Sequence, residues 1–252
     1  MAVYTRISEG DLNLIEKKFN IGTIISYSGI KKGIENTNYL IKTKKKKIIL
    51  TIFEKRVQKK DLPFFMSLMF GLSKQGIKCP EPINNKKGKY LFKIQNKTAC
   101  LVSFLEGKDK KQLSNEDCFQ VGKNAALLHM AAKKLRLYRK NSLSVNSWGP
   151  LLKKVDNRIN KLSRNLINTM KIDLTDIKKK WPNNMPHGVI HCDLFIDNIF
   201  FFKKKYYGFI DFYFSANDFL AYELATCVNA LCFKKRDKVY VLDKNKSSQL
   251  LK

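Results

Sequence analysis

No stretch of this 252-residue chain stays apolar for long enough to cross a bilayer, and nothing near Met1 has the character of a secretion signal. The most apolar helical stretch, Phe219 to Phe233, is broken by Glu223 and Asn229. A soluble, cytoplasmic protein with no membrane contact is therefore expected. The six cysteines include no C-x-x-C pair, and several lie inside apolar runs, so buried free thiols are expected in place of a disulfide framework or a zinc cluster. His187 and His191 are four apart, but Pro186, Gly188, Val189 and Ile190 argue against the helix that would bring both imidazoles to one metal. The G-x-x-x-x-G-K-[ST] phosphate loop is also missing. Gly71 and Gly76 have the glycine spacing, but Ile77 stands where lysine is required.

Acidic residues are scarce: 21 Asp and Glu face 49 Lys and Arg, a formal charge of +28. Such an excess invites a nucleic-acid reading. The lysines do not gather on one face, however. Lys44 to Lys47, Lys86 and Lys87, and Lys203 to Lys205 fall between strand-like runs, where solvated turns belong, and no nucleic-acid-binding motif accompanies them. No nucleic-acid partner is expected. With 44% apolar residues the chain has enough material for a sizeable core, and no Ser- or Gly-rich linker divides it.

Ser8 and Asp11 form a capping-box signal for a helix ending near Phe19. Strand-like stretches follow at 23–30, 37–43 and 48–54, then a helix opened by Asp61 and Pro63 that runs to Lys74. Two further strands, 89–95 and 98–104, complete an antiparallel sheet with one helix packed on it. From Glu106 and Gly107 onward the pattern turns helical. Ser114 to Asp117 caps a segment to Lys134 with Val121, Ala125, Leu128 and Ala132 on one stripe. A second helix runs from Pro150 into the 160s on Leu151, Val155, Ile159, Leu162 and Leu166. Strands return over Val189 to Phe214, Asp218 to Phe233 reads as a buried helix, and a polar tail closes the chain. The reading is an α+β fold of two lobes, 1–105 and 106–252, joined at 103–107.

The chemistry concentrates in His191-Cys192-Asp193-Leu194-Phe195-Ile196-Asp197-Asn198 and in Asp211. Asn198 immediately precedes one strand, and Asp211 follows its antiparallel partner. A hairpin turning at Lys203 to Lys205 brings both side chains to the same end. An amide oxygen beside a carboxylate is a hard-oxygen site suited to Mg²⁺, which is completed by substrate phosphates. Asp193, on the loop leading in, can accept the proton of an attacking hydroxyl. The kinase catalytic loop has this same order: a base, an asparagine on metal five residues later, and a metal-binding Asp after a hairpin. On the alternative reading, His191, Asp193 and Asp197 only cap a turn. Gly29 to Asn38, between the first two strands, is the natural phosphate-covering turn.

These residues resemble the aminoglycoside phosphotransferase and choline kinase superfamily, with its protein-kinase-like fold. Met1 to Thr5, GIENTNYL at 33–40, ILTIFEKR at 49–56, DLPFF at 61–65, VIHCDLFIDNIFF at 189–201 and IDFYF at 210–214 are similar to its bacterial homoserine kinase branch. The resemblance covers nearly the whole chain. It implies ATP and Mg²⁺ as cofactors and L-homoserine as the small-molecule acceptor, in threonine biosynthesis. It implies Asp193 as base, Asn198 and Asp211 on metal, and His191 and Asp197 as support for the catalytic loop. Gly29, Gly33, Asn36 and Asn38 would cover the nucleotide, and the backbone near Ser103 and Leu105 would pair with adenine. Arg56 and Tyr213 are candidates for the acceptor. Sister activities on choline, aminoglycosides or methylthioribose, or nucleotide binding with weak catalysis, are the alternatives.

Three departures stand out. Thr51 occupies the position of the strand-three lysine of protein kinases, as in the homoserine kinase branch, and Lys42 on the same sheet face is a candidate substitute. Glu223 stands where the resemblance implies aspartate. The chain ends soon after Phe233, where related sequences continue in further helices, which leaves open a shortened sequence with a depleted core.

Overall fold

The computed structural model describes residues 3–33, 35–162 and 165–252, so Met1, Ala2 and Ile34 of the family-like stretches lie outside it. Ser8 and Asp11 close the expected capping box on α1 (Glu9–Lys18). β1 (Ile24–Gly29), β2 (Thr37–Thr43) and β3 (Lys47–Ile52) follow as a meander. Next come α2 (Leu62–Lys74), β4 (Pro82–Ile83), β5 (Leu91–Ile94) and β6 (Lys97–Ser103). The strands pair antiparallel in the order β1-β2-β3-β6-β4, with β5 also on β6. The short β4 inside the Cys79-Pro80-Glu81-Pro82 run is an addition to the sequence reading, because two residues carry no periodicity.

Alternation along the strands sorts the sheet into two faces. Tyr39, Ile41, Ile48, Leu50, Ile52 and Leu101 bury against Ile15 and Phe19 of α1. The opposite face presents Cys100 and Val102, together with Phe53 just beyond β3, to the inner side of α2, which carries Leu62, Phe65, Met66, Met69 and Leu72. β6 is buried on both sides, so its sequence reads as a continuous apolar run.

The helical region contains α3 (Asn115–Leu135), α4 (Val145–Leu162), α5 (Leu166–Lys180) and β7 (His187–Ile190). It continues with β8 (Ile199–Phe202), β9 (Lys205–Phe209), β10 (Ala216–Phe219) and α6 (Leu220–Leu231). β11 (Phe233–Arg236), β12 (Val239–Leu242) and α7 (Lys244–Leu250) end it. Ser114 caps α3 as read from sequence, and Val121, Ala125, Leu128 and Ala132 are buried. β8 and β9 form the expected hairpin, its turn made by Lys203 and Lys204, both at positive φ. Two-residue hairpin turns require such φ values.

Four sequence expectations need correction. α4 begins at Val145, ahead of Pro150, and buries Val145 and Leu152 while Leu151 and Leu166 stay exposed; the side chains of Ile159 and Leu162 lie outside the described residues. α5 went unread because its only buried residue is Ile167, so it has no apolar stripe and forms by pairing with α4. The stretch read as one helix from Asp218 starts as β10, paired with β7 from Ala216↔Ile190 to Phe219↔His187. The polar tail is an exposed hairpin followed by α7, whose Leu250 packs over α3 so closely that a Cβ on Gly122 would lie 1.9 Å from the Leu250 carbonyl oxygen.

Asp61 opens α2 without capping it, because its carboxylate is committed elsewhere. Arg139, on the loop after α3, donates from Nε to Asp61 Oδ2 at 2.8 Å and from a terminal nitrogen to the Ser215 carbonyl at 3.1 Å. Its guanidinium also lies over the Phe65 ring. One side chain thus ties the start of α2 to the segment behind Asp211. Arg139→Ala is expected to cost about 2 kcal/mol in urea unfolding, since it strands a mostly buried carboxylate. Lysine at this position, lacking the planar fork, is expected to recover less than half of that loss.

Candidate active site

Built from the backbone upward, the site begins where β7 delivers His191 into the core. His191 is fully buried, and burial pushes its pKa down, so the ring is neutral. Its Nε2 lies 2.9 Å from the Ile210 carbonyl, and Nδ1 lies 3.3 Å from the Asp193 backbone N–H. Those partners set the tautomer: Nε2 donates and Nδ1 accepts. The ring therefore holds the Asp193 loop against the strand end that carries Asp211. With both nitrogens engaged, and His187 exposed on the Phe219 ring, no shared metal joins the two histidines.

Beneath the loop, Glu223 of α6 is completely buried. Its carboxylate accepts from His191 N at 3.0 Å and Cys192 N at 2.8 Å, and its Oε2 lies 2.9 Å from His129 Nε2. Burial alone would raise its pKa; the hydrogen bonds from His129 and from the His191 backbone bring it below the usual value. Cys192, gripped in this way, takes a left-handed φ of 68°, and Asp211 takes one of 63°. Non-glycine residues in that region cost about 1–3 kcal/mol each and persist where surrounding contacts over-determine them. Here those contacts aim Asp193 into the cleft.

Asn198 ends a single 3₁₀ turn, and its Nδ2 donates to both Asp193 Oδ2 and the Asp193 carbonyl at 2.8 Å. The amide orientation leaves Oδ1 as the acceptor end. Ile210 N bonds the Asn198 carbonyl at 3.0 Å, extending the hairpin ladder so that Asn198 and Asp211 stand at its same end, as the sequence implied. Asp193 is half-buried, while Asp211 opens to the cleft. The surrounding protein, then Asp211, Asp197 and Glu35, push the Asp193 carboxyl up to about 7. Asp211 is raised to about 6 by the same desolvation and by Glu35 and Asp197. Among the described residues no three His, Cys, Asp or Glu side chains converge as a metal cage. One carboxylate and one amide oxygen fit a cation that takes its other ligands from phosphate and water.

Over this floor lies the glycine-bearing turn. Gly33 has φ +99°, and Ile30 N bonds the Asn38 carbonyl at 2.8 Å to close it. Gly29 packs against Val3, which a Cβ would meet at 2.8 Å, so its smallness serves the amino-terminal segment. Asn36 is buried and accepts from Glu54 N at 3.4 Å, whereas Asn38 Oδ1 accepts from Thr51 Oγ1 at 2.8 Å. At the connector, the Ser103 hydroxyl accepts from Glu81 N at 2.8 Å, and Leu105 is buried.

The two acceptor candidates part company. Arg56 pairs with Glu35 and stacks over Phe214 at 4.9 Å, which puts it on the rim. Tyr213 fills the space between the lobes, edge-on to Phe53 at 5.0 Å and Phe65 at 5.9 Å, with its hydroxyl on Thr51 and Cys100. Its ring packs there between Phe53 and Phe65. Lys42 shares the face of Thr51, but the register sets it opposite Lys47, four residues along the strand, about 13 Å away. It does not stand in for a lysine at position 51. Sequence reasoning missed Glu35, His129 and Arg139. Glu35 carried a weak signal, a carboxylate inside a glycine-bearing turn.

The sheet, the helical region and the hairpin site define a kinase-like phosphotransferase. A spectinomycin phosphotransferase solved with ADP and spectinomycin superposes with a TM-score of 0.66 at 14% identity, over 87% of this chain and 73% of that one. An amicoumacin kinase solved with AMP-PNP and Ca²⁺ gives 0.64 at 13%, over 90% and 69%. The phosphotransferase enzyme family profile matches residues 26–242. Homoserine kinase of Parvibaculum lavamentivorans is 43% identical over 93% of this chain and 73% of its own length, and that of Agrobacterium fabrum 41% over 98% and 76%. The chain belongs to the phosphotransferase enzyme family and, within it, to the homoserine kinases. It spans about three quarters of the length of these relatives.

The raised carboxyls make stability depend on pH in a defined sense. Asp193 and Asp211 titrate near 7 and 6 when folded, against an ordinary 3.8. The folded state therefore takes up protons that the unfolded chain does not, and these groups favour it increasingly as pH falls from above 7 toward 4. In EDTA at pH 8, Asp193→Asn is expected to raise the calorimetric midpoint by about 3 °C, with the gain shrinking toward pH 5. A lowered midpoint at pH 8 would contradict this assignment.

Proposed function

We propose that the chain phosphorylates the hydroxyl of L-homoserine, with ATP as donor and O-phospho-L-homoserine and ADP as products. The observation that carries the reading is Asp193 held by the Asn198 amide at the end of the hairpin that also presents Asp211, in a chain of this family. Asp193 is the base: it takes the hydroxyl proton as that oxygen bonds to the γ-phosphorus and the bond from phosphorus to the β,γ-bridging oxygen breaks. The Asn198 amide oxygen and the Asp211 carboxylate would hold Mg²⁺, which would supply positive charge against the phosphates of the donor. His191 and Glu223 fix the geometry of the loop, and Asp197 adds negative charge nearby.

The lobes 1–105 and 106–252 close over the nucleotide. The turn bearing Gly29, Gly33, Asn36 and Asn38 covers its phosphates, and the connector backbone at Ser103 and Leu105 meets the adenine. Arg56, on the rim, is the cation for the acceptor's carboxylate. The pathway position, threonine biosynthesis, follows from the product, and the compartment proposed is the cytoplasm. Among the described residues, no helix is long and apolar enough to cross a membrane.

The purified chain is expected to consume ATP in a Mg²⁺-dependent reaction with L-homoserine, and Asp193→Asn to lower kcat by about 10²–10⁴. A higher kcat/KM for choline, methylthioribose or an aminoglycoside would reassign the acceptor. ADP binding without turnover of any acceptor would make the chain a nucleotide binder.

A further inference from the structure

Residues of three adjacent strands stand in one row across the sheet. The register sets Asn38 of β2 opposite Thr51 of β3, and Thr51 opposite Cys100 of β6. All three point away from the face that buries α1, toward the cleft and α2. Thr51 Oγ1 donates to Asn38 Oδ1 at 2.8 Å. From below, the Tyr213 hydroxyl meets Thr51 and lies 3.7 Å from Cys100 Sγ. Thr51 thus spends its hydroxyl proton on Asn38. With the amide oxygen of Asn38 engaged, Nδ2 is its donor end, on a side chain that stays half-exposed.

This is the position where a protein kinase carries a lysine paired with a carboxylate on the neighbouring helix. Both halves of that pair are gone together. α2 has no Asp or Glu, and Asp61 at its start is bound to Arg139. A lysine at position 51 would find no carboxylate on α2 to pair with.

Building on the nucleotide reading above, we propose that the Asn38 amide, oriented by Thr51 and Tyr213, is the donor to the α- and β-phosphates in place of the strand-three lysine. Tyr213 stands two residues after Asp211, so the row also ties the phosphate donor to the metal-binding loop. Asn38 is the group that touches the ligand; Thr51 and Tyr213 are positioning residues.

The test compares MgADP with adenosine by isothermal titration, with no acceptor present. Asn38→Ala is expected to weaken MgADP by about tenfold or more, the loss typical of a hydrogen bond to a charged group, and to leave adenosine unchanged. Asn38→Asp keeps the shape and the acceptor for Thr51 but replaces the donor with a charge, so its loss is expected to be larger. Thr51→Val is expected to give a smaller loss, confined to MgADP, that Thr51→Ser restores. Unchanged MgADP affinity in both Asn38 variants, or an equal loss for adenosine, would overturn the proposal while leaving the kinase reading in place. Failure of the unmodified chain to bind either ligand would overturn both.

Discussion

The active site depends on one buried carboxylate. Glu223 receives two successive backbone N–H groups, from His191 and Cys192, and a third contact from His129. An ionised group at zero exposure is tolerable only when its lone pairs are occupied, and here they are. The two main-chain bonds hold Cys192 in a left-handed conformation, and that local turn directs Asp193 away from the core. The loop's shape thus comes from a residue thirty positions later in the chain, on a helix that takes no part in the chemistry.

The two lobes are joined by a different kind of interaction. Two sets of contacts reach across from the segment that follows Asp211. Arg139 links the start of α2 to the carbonyls behind Asp211, and Tyr213 reaches from the same segment up to Thr51. Both attach within a few residues of Asp211. The aromatic packing of Tyr213 on Phe53 and Phe65 gives this joint an apolar floor, where neutral hydrogen-bonded groups cost less desolvation than a buried charge.

Crowding of like charge is the other constraint. Asp193, Asp197, Asp211 and Glu35 share one cleft in a chain otherwise rich in lysine, and the carboxyls of Asp193 and Asp211 are raised well above their ordinary value. Strongly shifted carboxyls of this kind cluster at functional sites. Arg56 relieves part of it by pairing with Glu35, whose pKa burial nevertheless raises.

What the sequence by itself determined is what lies close together along the chain. The capping boxes at Ser8 and Ser114, the alternation in β2, β3 and β6, and the hairpin that carries Asn198 and Asp211 to one end all rest on near-neighbour periodicity and turn chemistry. Helix α5 and strand β10 escaped because neither has a repeat of its own. Tertiary structure alone decided the partners across long separations: His129 with Glu223, 94 residues apart, Arg139 with Asp61, 78 apart, and Cys100 with Tyr213, 113 apart. No local pattern encodes such pairs, because the loss of chain entropy in bringing them together is offset only when the whole core forms at once.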